Sequence, residues 1–304
     1  MNPSSPFLRK TSFKFPIEES RVQESSCRIA LATDSHYALK EDLEDKCYSD
    51  ALLKMEEFVK TVNPLGCDFA IHLGDFKDED PVPNEKSTLN YLKKMEREFS
   101  KFKGPRFHCL GNHDLDSITK GQFMKIAENS NPGPNSRIEP RSGHYSFDLK
   151  SVRFVVLDAN YDEFGNDHFF GKGGDWQKPF IPSKQLEWLK NTLDDSPHPC
   201  VLFIHHPLYA YVKNGHSYHV VNHMEVRSVL EDSQKVLAVF NGHMHEEMFH
   251  ELNGIRYFAL NSMLEGTFVQ RNCFYVLEIL PDHMCIDRYE RFHKLDGKRI
   301  NSDI

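Results

Sequence analysis

The 304-residue sequence predicts an α/β domain with two packed β-sheets, and three features of the chain support this interpretation. Short apolar runs alternate with amphipathic helical segments in the first part of the chain, which is typical of parallel strands joined by helices. Strand-like runs dominate after residue 143 and again at the C-terminal end. Polar clusters that directly follow apolar runs are spread from residue 34 to residue 245, which favours one domain over two.

The first part of the chain is predicted to contain three strands and two helices. Each predicted helix repeats apolar residues every three or four positions, so these residues share one face. The first helix is expected to stop at Asn63-Pro64, since proline does not continue a helix. The predicted elements are, in order, strand 27–33, helix 45–62, strand 67–73, helix 87–102 and strand 105–110.

The second part begins with two strands, 143–149 and 152–158, which are predicted to pair in antiparallel fashion across a Lys150-Ser151 turn. A helix follows, and Ser183 is expected to cap its N-terminus. The remaining predicted elements are strand 200–204, helix 222–232 and strands 236–241, 255–262, 273–280 and 283–290.

Residues 1–25 are interpreted as a polar N-terminal lead-in and residues 26–304 as a single domain. The lead-in lacks the apolar core of a signal peptide, and no run is long enough to span a bilayer. The seven cysteines are widely spaced and include no C-x-x-C pair, which favours buried, reduced thiols. We therefore expect a cytoplasmic protein that has no membrane partner.

The charge balance argues against a nucleic-acid polymer as a partner. The chain carries 45 acidic and 37 basic residues, for a formal charge of −8, and its basic residues are scattered. Binding to a phosphate polymer instead requires a basic face that releases counterions. A small anionic substrate remains open, because bound cations can reverse the local charge.

The chain has 17 histidines, and several of them stand in polar clusters at the ends of predicted strands. These clusters are Asp34-x-His36, Gly74-Asp75, Gly111-Asn112-His113-Asp114, His205-His206-Pro207 and Gly242-His243-x-His245. Ligands of α/β proteins bind beyond the carboxyl ends of strands. Since Asp, Asn and His together suit Mn, Fe or Zn, the clusters predict a metal centre at this edge.

In their order and composition, the five clusters resemble the calcineurin-like metallophosphoesterase superfamily, whose pattern is D-x-H, G-D, G-N-H-[DE], a further His and G-H-x-H. The resemblance covers residues 34–245. It implies a four-layer α/β/β/α sandwich with two mixed β-sheets and two divalent or trivalent metal ions, which would be Mn, Fe or Zn. It also implies hydrolysis of a phosphoester bond by a hydroxide that bridges the two metals.

The resemblance carries over to individual residues of this chain. The implied ligands are Asp34, His36 and His245 for one metal, Asn112, His243 and one histidine of the 205–206 pair for the other, and Asp75 for both. We expect His205 to be the ligand of the pair, because the first histidine of this block binds metal in related proteins. His206 stays open as an alternative ligand or as a residue supporting the ligands. His113 would be the acid beside the leaving group, with Asp114 orienting it.

Differences between the motifs of this chain and those of related families narrow the range of expected substrates. The block from Gly74 to Glu79 lacks the Ser/Thr protein phosphatase signature, and Asp78 stands where purple acid phosphatases have a tyrosine ligand. The G-N-H-D form resembles phosphodiesterases and nucleotide pyrophosphohydrolases, including the Mn-dependent ADP-ribose/CDP-alcohol type. We therefore expect a small phosphodiester or a nucleotide diphosphate as substrate. A small-molecule phosphomonoesterase and a non-catalytic scaffold on the same fold are the alternatives.

Two inserts, 160–182 and 208–221, are rich in aromatic residues, Gly and His and are expected to shape the pocket. The candidate substrate-binding residues in these inserts are Asn160, Tyr161, Trp176, Tyr209 and Tyr211. The alternative is that these aromatic side chains only hold the loops in place. A further histidine cluster, His216, His219 and His223, is interpreted as loop or substrate-contacting residues or, alternatively, as an extra metal site. The oligomeric state remains open.

Overall fold

The computed structural model describes residues 7–14, 26–131, 143–168 and 175–292. The helices within these ranges are α1 (Ala51–Val62), α2 (Glu85–Phe99), α3 (Lys120–Ile126), α4 (Ser183–Asp194) and α5 (His223–Ser233). The strands are β1 (Phe7–Lys14), β2 (Cys27–Ala32), β3 (Phe69–His72), β4 (Arg106–His108), β5 (Tyr145–Leu149), β6 (Val152–Val156), β7 (Cys200–Phe203), β8 (Val212–Lys213), β9 (His216–Ser217), β10 (Val236–Asn241), β11 (Met248–Leu252), β12 (Ile255–Ala259), β13 (Arg271–Ile279) and β14 (His283–Phe292).

The strands form two six-stranded mixed sheets and a small β8–β9 ribbon. The first sheet has the order β1-β14-β13-β2-β3-β4, in which β2, β3 and β4 run parallel. The second sheet has the order β11-β12-β10-β7-β6-β5, in which β12, β10, β7 and β6 run parallel. Each of the five histidine- and aspartate-bearing clusters follows one of these parallel strands, so the topology brings the clusters to one edge of the sandwich.

Three apolar clusters separate the structure into four layers, which confirms the predicted α/β/β/α sandwich. Along β2, Ile29 and Leu31 enter the cluster between the two sheets, whereas Ala30 and Ala32 pack under α1, α2 and α3. Along β7, Val201 and Phe203 face the other sheet. The alternate residues of β7 pack under α4 and α5. Strands that are buried on both faces lack a polar side, which explains why they appear in the sequence as unbroken apolar runs.

The structure differs from the predicted elements at several places. Part of the predicted lead-in, Phe7–Lys14, forms β1 and pairs with β14. Ser183 is the first residue of α4 rather than its cap, and no side-chain cap hydrogen bond forms there. Helix α3 was not predicted because it has only seven residues, although Thr119 and Gln122 form a capping box at its start. The half-exposed edge strand β11 also lacks a clear apolar run.

All seven cysteines are free thiols, and six of them are buried. Along the described ranges, no helix is both long and apolar enough to cross a membrane.

Candidate metal centre

The ends of β2, β3 and β10 bring four predicted ligands into one group. Nε2 of His36 lies 3.8 Å from Oδ1 of Asp34 and 3.4 Å from Oδ2 of Asp75. Nε2 of His245 lies 3.4 Å from the same oxygen of Asp34 and 3.3 Å from Nε2 of His36. All four side chains therefore direct ligand atoms to one point, and Asp34, His36 and His245 together match the spacing of a metal site.

A second group adjoins the first through Asp75. Nε2 of His205 lies 3.1 Å from Oδ2 of Asp75 and 3.2 Å from Nδ1 of His243. Nδ1 of His205 lies 2.8 Å from the carbonyl oxygen of Leu73, to which it donates, so that its Nε2 is left as an acceptor. Oδ1 of Asn112 is buried and has no hydrogen-bond partner within the described part of the chain, which is costly unless a cation binds there.

His206 lies behind this second group. Its ring centroid is 4.6 Å from that of His243 and 5.0 Å from that of His205. Both ring nitrogens of His206 are buried without a hydrogen-bond partner, and the three histidines also satisfy the spacing of a metal site. Unlike His205, His206 has no carbonyl or carboxylate partner among the described residues that would set its tautomer.

The backbone is strained at five of the predicted ligands. Their φ angles, all in the left-handed region, are 52° at Asp34, 49° at His36, 53° at Asp75, 70° at His243 and 57° at His245. Non-glycine residues adopt this region rarely, and the conformation costs about 1–3 kcal/mol per residue. Strain of this kind is concentrated at functional sites, where it turns side chains toward a common point.

Two glycines of the clusters allow ligands from different strands to approach each other. A Cβ atom at Gly111 would collide with the carboxylate of Asp75. A Cβ atom at Gly242 would collide with the side chains of Asp34 and Thr33. Glycine is therefore required at both positions by close approach of a neighbouring ligand rather than by chain flexibility.

Three further groups hold the ligand histidines in orientation. Oδ2 of Asp78 lies 3.2 Å from Nδ1 of His36, and Oε1 of Glu265 lies 2.5 Å from Nδ1 of His245. The Leu73 carbonyl oxygen likewise accepts a hydrogen bond from Nδ1 of His205. Such partners fix the ring and raise its basicity as a ligand. Asp78 stands three residues after the predicted ligand Asp75, whereas no signal in the sequence points to Glu265.

His113 lies beside the first group, but its orienting partner differs from the one predicted. Nδ1 of His113 lies 2.6 Å from Oδ2 of Asp116. Asp114 instead accepts hydrogen bonds from the backbone N–H groups of Asp75, Phe76 and Gly111, at 2.8–2.9 Å. The prediction that Asp114 orients His113 is therefore wrong, because Asp114 points into the protein and holds two ligand loops together.

The electrostatics of the centre favour bound cations. Burial alone would raise the pKa of Asp34, but the His205 and His245 rings hold that pKa well below its usual range. Burial would likewise lower the pKa values of both histidines. The nearby aspartates instead raise the pKa of His205 to about 9 and that of His245 to about 10. The buried carboxylates thus hold protons on the rings, and metal binding would replace these protons.

A cavity of about 500 Å³ opens onto the centre. Of the predicted substrate-binding residues, Trp176 lines this cavity, together with Tyr218, which was not predicted. Asn160 is buried and bonds to the Leu110 carbonyl oxygen at 3.0 Å. Tyr161 lies under the ammonium group of Lys120, 3.6 Å from its ring centroid.

Tyr209 is also buried, and its ring packs against His250 with centroids 4.5 Å apart. Asn160, Tyr161 and Tyr209 therefore do not contribute to the described cavity wall and instead hold their loops in place. Tyr211 bonds through its hydroxyl to Glu246 at 3.0 Å. The His219 and His223 rings pack against each other 4.8 Å apart, and across the described ranges neither joins a group with metal-site spacing.

Fold and site together define a dinuclear metal hydrolase, because two adjoining sets of buried oxygen and nitrogen ligands share one carboxylate at the edge of a four-layer sandwich. A family model described as calcineurin-like phosphoesterase matches residues 27–247. The chain belongs to this family of metal-dependent phosphoesterases, as the sequence motifs predicted.

Two curated proteins are similar to this chain, and both are described as manganese-dependent ADP-ribose/CDP-alcohol diphosphatases. The Arabidopsis thaliana protein is 24% identical over 255 residues, covering 73% of this chain and 80% of that protein. The Oryza sativa subsp. japonica protein is 25% identical over 285 residues, covering 79% of this chain and 82% of that protein.

Among solved structures, a dimetal phosphatase from Danio rerio has the same fold. It aligns with a TM-score of 0.71 at 20% sequence identity, covering 86% of this chain and 96% of that one. Nearly the whole of that chain is therefore represented here, and the two sheets with their flanking helices are shared.

Proposed function

We propose that this protein hydrolyses a phosphoester bond in a small phosphodiester or a nucleotide diphosphate at a dinuclear metal centre. The observation that carries the proposal is the convergence of Asp34, His36 and His245 on one side of Asp75 and of His205 and His243 on the other. The choice of substrate class is supported by the two relatives described as ADP-ribose/CDP-alcohol diphosphatases.

The donor set fits a pair of divalent cations such as Mn²⁺. Carboxylate, imidazole and amide oxygen ligands suit these ions, and the unpartnered Oδ1 of Asn112 would be satisfied by one. Two such cations 3.5–4 Å apart generally supply a nucleophile at neutral pH and neutralise the charge of the phosphoryl oxygens. Asp75 would contact both ions, and the other ligands one ion each. His205 is preferred to His206 as a ligand because its Nδ1 is already engaged by Leu73.

His113 is suited to give a proton to the leaving group. Burial lowers its pKa, but Asp116, Asp78 and Asp75 raise it to about 10, so the ring is protonated at neutral pH. The side chain is 40% exposed and lines the cavity, whereas the side chains of the ligands His36, His205 and His245 are more deeply buried. Asp116 binds Nδ1 and leaves Nε2 to face a substrate oxygen.

The cavity suits a small substrate. Its volume of about 500 Å³ lies in the range of small-molecule sites, which are typically 300–1,000 Å³. Its lining includes Lys46 and Arg271 as well as the metal ligands, so anionic groups beyond the reacting phosphate can also find positive charge.

The test uses purified protein loaded with Mn²⁺ and a panel of ADP-ribose, a cyclic nucleotide, a glycerophosphodiester and p-nitrophenyl phosphate. We expect two metal ions per chain and the highest kcat/KM on a diester or diphosphate. Asp75→Asn should remove activity on every substrate by disrupting both metals. Absence of hydrolysis across the panel, or clearly fewer than two metals per chain, would overturn the proposal.

His113→Ala provides a sharper readout, because a general acid typically contributes 10²–10⁴-fold and matters most for a poor leaving group. We expect a large loss of kcat on ADP-ribose and a much smaller one on bis-p-nitrophenyl phosphate, whose leaving group needs no proton. Equal losses on both substrates would contradict the assigned role of His113.

A further inference from the structure

Trp176 and Tyr218 form an aromatic wall next to the metal ligand His243. The ring centroids of Trp176 and Tyr218 are 5.2 Å apart, and they lie 6.1 and 5.3 Å from that of His243. Both side chains are partly exposed and line the same cavity as the metal ligands. We name this pair the ring subsite.

The ring subsite is assembled from two separate inserts and is held in place on both. The backbone N–H of Tyr218 donates to the carbonyl oxygen of Tyr211 at 3.2 Å, and the Tyr211 hydroxyl donates to Glu246. On the other side, His216 packs against Trp176 with ring centroids 5.6 Å apart. Because these contacts hold both rings, binding would require little ordering of them.

The polar tips of both rings remain available. Neither the indole N–H of Trp176 nor the hydroxyl of Tyr218 has a hydrogen-bond partner among the described residues. A planar heterocycle can stack on one of these rings and accept a hydrogen bond from the edge donor of the other, because the two ring planes are inclined by 63°. A purely apolar substituent would leave these donors unused.

A cation lies on the other side of the centre. Lys46 pairs through its backbone with Glu265, which binds His245, whereas the ring subsite adjoins His243. Within the described ranges, the Lys46 ammonium has no carboxylate partner, unlike Lys213, which pairs with Glu246. A reacting phosphate held between His243 and His245 would thus have aromatic rings on one side and a free positive charge on the other.

We infer that the ring subsite binds the base of a nucleotide and so makes the enzyme selective for nucleoside-containing phosphoesters over base-free ones. This inference rests on the proposed function for the position of the phosphate, but the base contacts themselves can be measured by binding. Lys46, on the opposite side, would bind a second phosphate. Nucleoside diphosphate esters therefore match the whole cavity.

The first experiment measures binding alone. Trp176 and Trp188 are the two tryptophans of the chain, so a Trp188→Phe variant reports on Trp176 fluorescence only. With Mn²⁺-loaded protein, AMP should quench this fluorescence saturably, whereas ribose 5-phosphate, which has the same phosphate and sugar but no base, should not. Equal quenching by both ligands, or none by AMP at concentrations where calorimetry shows that it binds, would overturn the inference.

The second experiment compares variants by calorimetry with the same two ligands. Stacking on one aromatic side chain implies a rise of about 5- to 100-fold in the Kd of AMP for Trp176→Ala or Tyr218→Ala, with the Kd of ribose 5-phosphate unchanged. The matched control is Phe164→Ala, since Phe164 lies on the same insert as Trp176 but is 82% exposed. An equal rise in the Kd of both ligands, or an unchanged Kd of AMP, would refute the inference.

The two failures can be told apart. If ADP-ribose is not hydrolysed but AMP binding depends on Trp176 and Tyr218 as described, the proposed function fails and the ring subsite stands. ADP-ribose and base-free diesters could instead be hydrolysed with similar kcat/KM, and Trp176→Ala and Tyr218→Ala could lower the kcat/KM of both substrates equally. In that case the proposed function stands and the ring subsite is wrong.

Discussion

Replacing Lys54 by methionine should destabilise the protein and weaken its metal binding, although Lys54 touches no metal ligand. The side chain is fully buried on α1. Its Nζ lies 2.6–3.1 Å from four consecutive backbone carbonyl oxygens, those of residues 263–266, which share its three N–H donors. That segment carries Glu265, which orients the proposed ligand His245. Lys54 therefore connects the helix layer to the metal centre.

The expected change in the free energy of unfolding is the balance of two opposing effects. Hydrogen bonds from a charged donor are each worth about 1.5–3 kcal/mol, so the three N–H donors of Lys54 give a large gross stabilisation. Burial opposes it and lowers the pKa of Lys54 to about 8 from its ordinary 10.5, which corresponds to roughly 3 kcal/mol. Methionine would fill the space but remove the ammonium donor of these carbonyl groups, although the carbonyl of Leu264 would keep the backbone N–H of Cys47. We expect a net loss of about 3–5 kcal/mol in the free energy of unfolding, as when a buried polar network loses one partner.

The assay is urea unfolding of metal-free protein at several pH values, followed by Mn²⁺ titration. Between pH 8 and 10.5 the unfolded chain binds more protons at Lys54 than the folded protein does, so the wild type gains stability as pH rises. Lys54→Met lacks this gain, and the difference between the two proteins should widen over that range.

The matched control is Lys60→Met, because Lys60 lies on the same helix and forms an exposed pair with Glu56. This control should change the free energy of unfolding by less than about 1 kcal/mol. The role assigned to Lys54 is refuted if Lys54→Met behaves like Lys60→Met, or if its stability difference from the wild type is the same at pH 7.5 and pH 10.

The remaining predictions concern the metal centre directly. Glu265→Gln should weaken Mn²⁺ binding about 10- to 100-fold, measured by calorimetry, because His245 loses its carboxylate partner. Asp116→Asn should move the alkaline limb of the kcat/KM profile to lower pH, since Asp116 raises the pKa of His113. Gly242→Ala should abolish stoichiometric metal binding, measured by metal analysis, because its Cβ would collide with a ligand carboxylate.

Each of these outcomes has a counterpart that would contradict it. Unchanged Mn²⁺ affinity in Glu265→Gln would mean that the His245 ring is oriented without Glu265. An unchanged alkaline limb in Asp116→Asn would show that Asp116 does not set the pKa of His113. Two bound metals in Gly242→Ala would show that the loop after β10 can move away without disturbing the ligands.

Local sequence patterns identified most of the fold. Buried strands such as β7 and β10 appear as apolar runs because both faces of each sheet are covered, by the other sheet and by helices. Short or half-exposed elements, such as α3 and β11, lack that pattern and were missed. Strand β1 falls in a polar stretch, and its place in the sheet depends on pairing with β14, which is far away in sequence.

The candidate ligands were identifiable for a related reason. Each stands directly after a strand, so a short motif fixes both its chemistry and its position. The residues that orient them do not share this property. Glu265 lies 20 residues from His245, and Lys54 lies more than 200 residues from the carbonyl groups that it binds. No local pattern indicates such contacts, because only the packing of α1 beside the sheet brings them together.

The sequence by itself determined the fold class, the family and the residues able to bind metal, since these depend on periodicity and on side-chain chemistry at strand ends. Tertiary structure decided which residues act around them. It paired Asp116 rather than Asp114 with His113, and it brought Trp176 together with Tyr218 at the cavity. The reason is physical: a side chain's chemistry is local, whereas its partner is set by how distant segments pack.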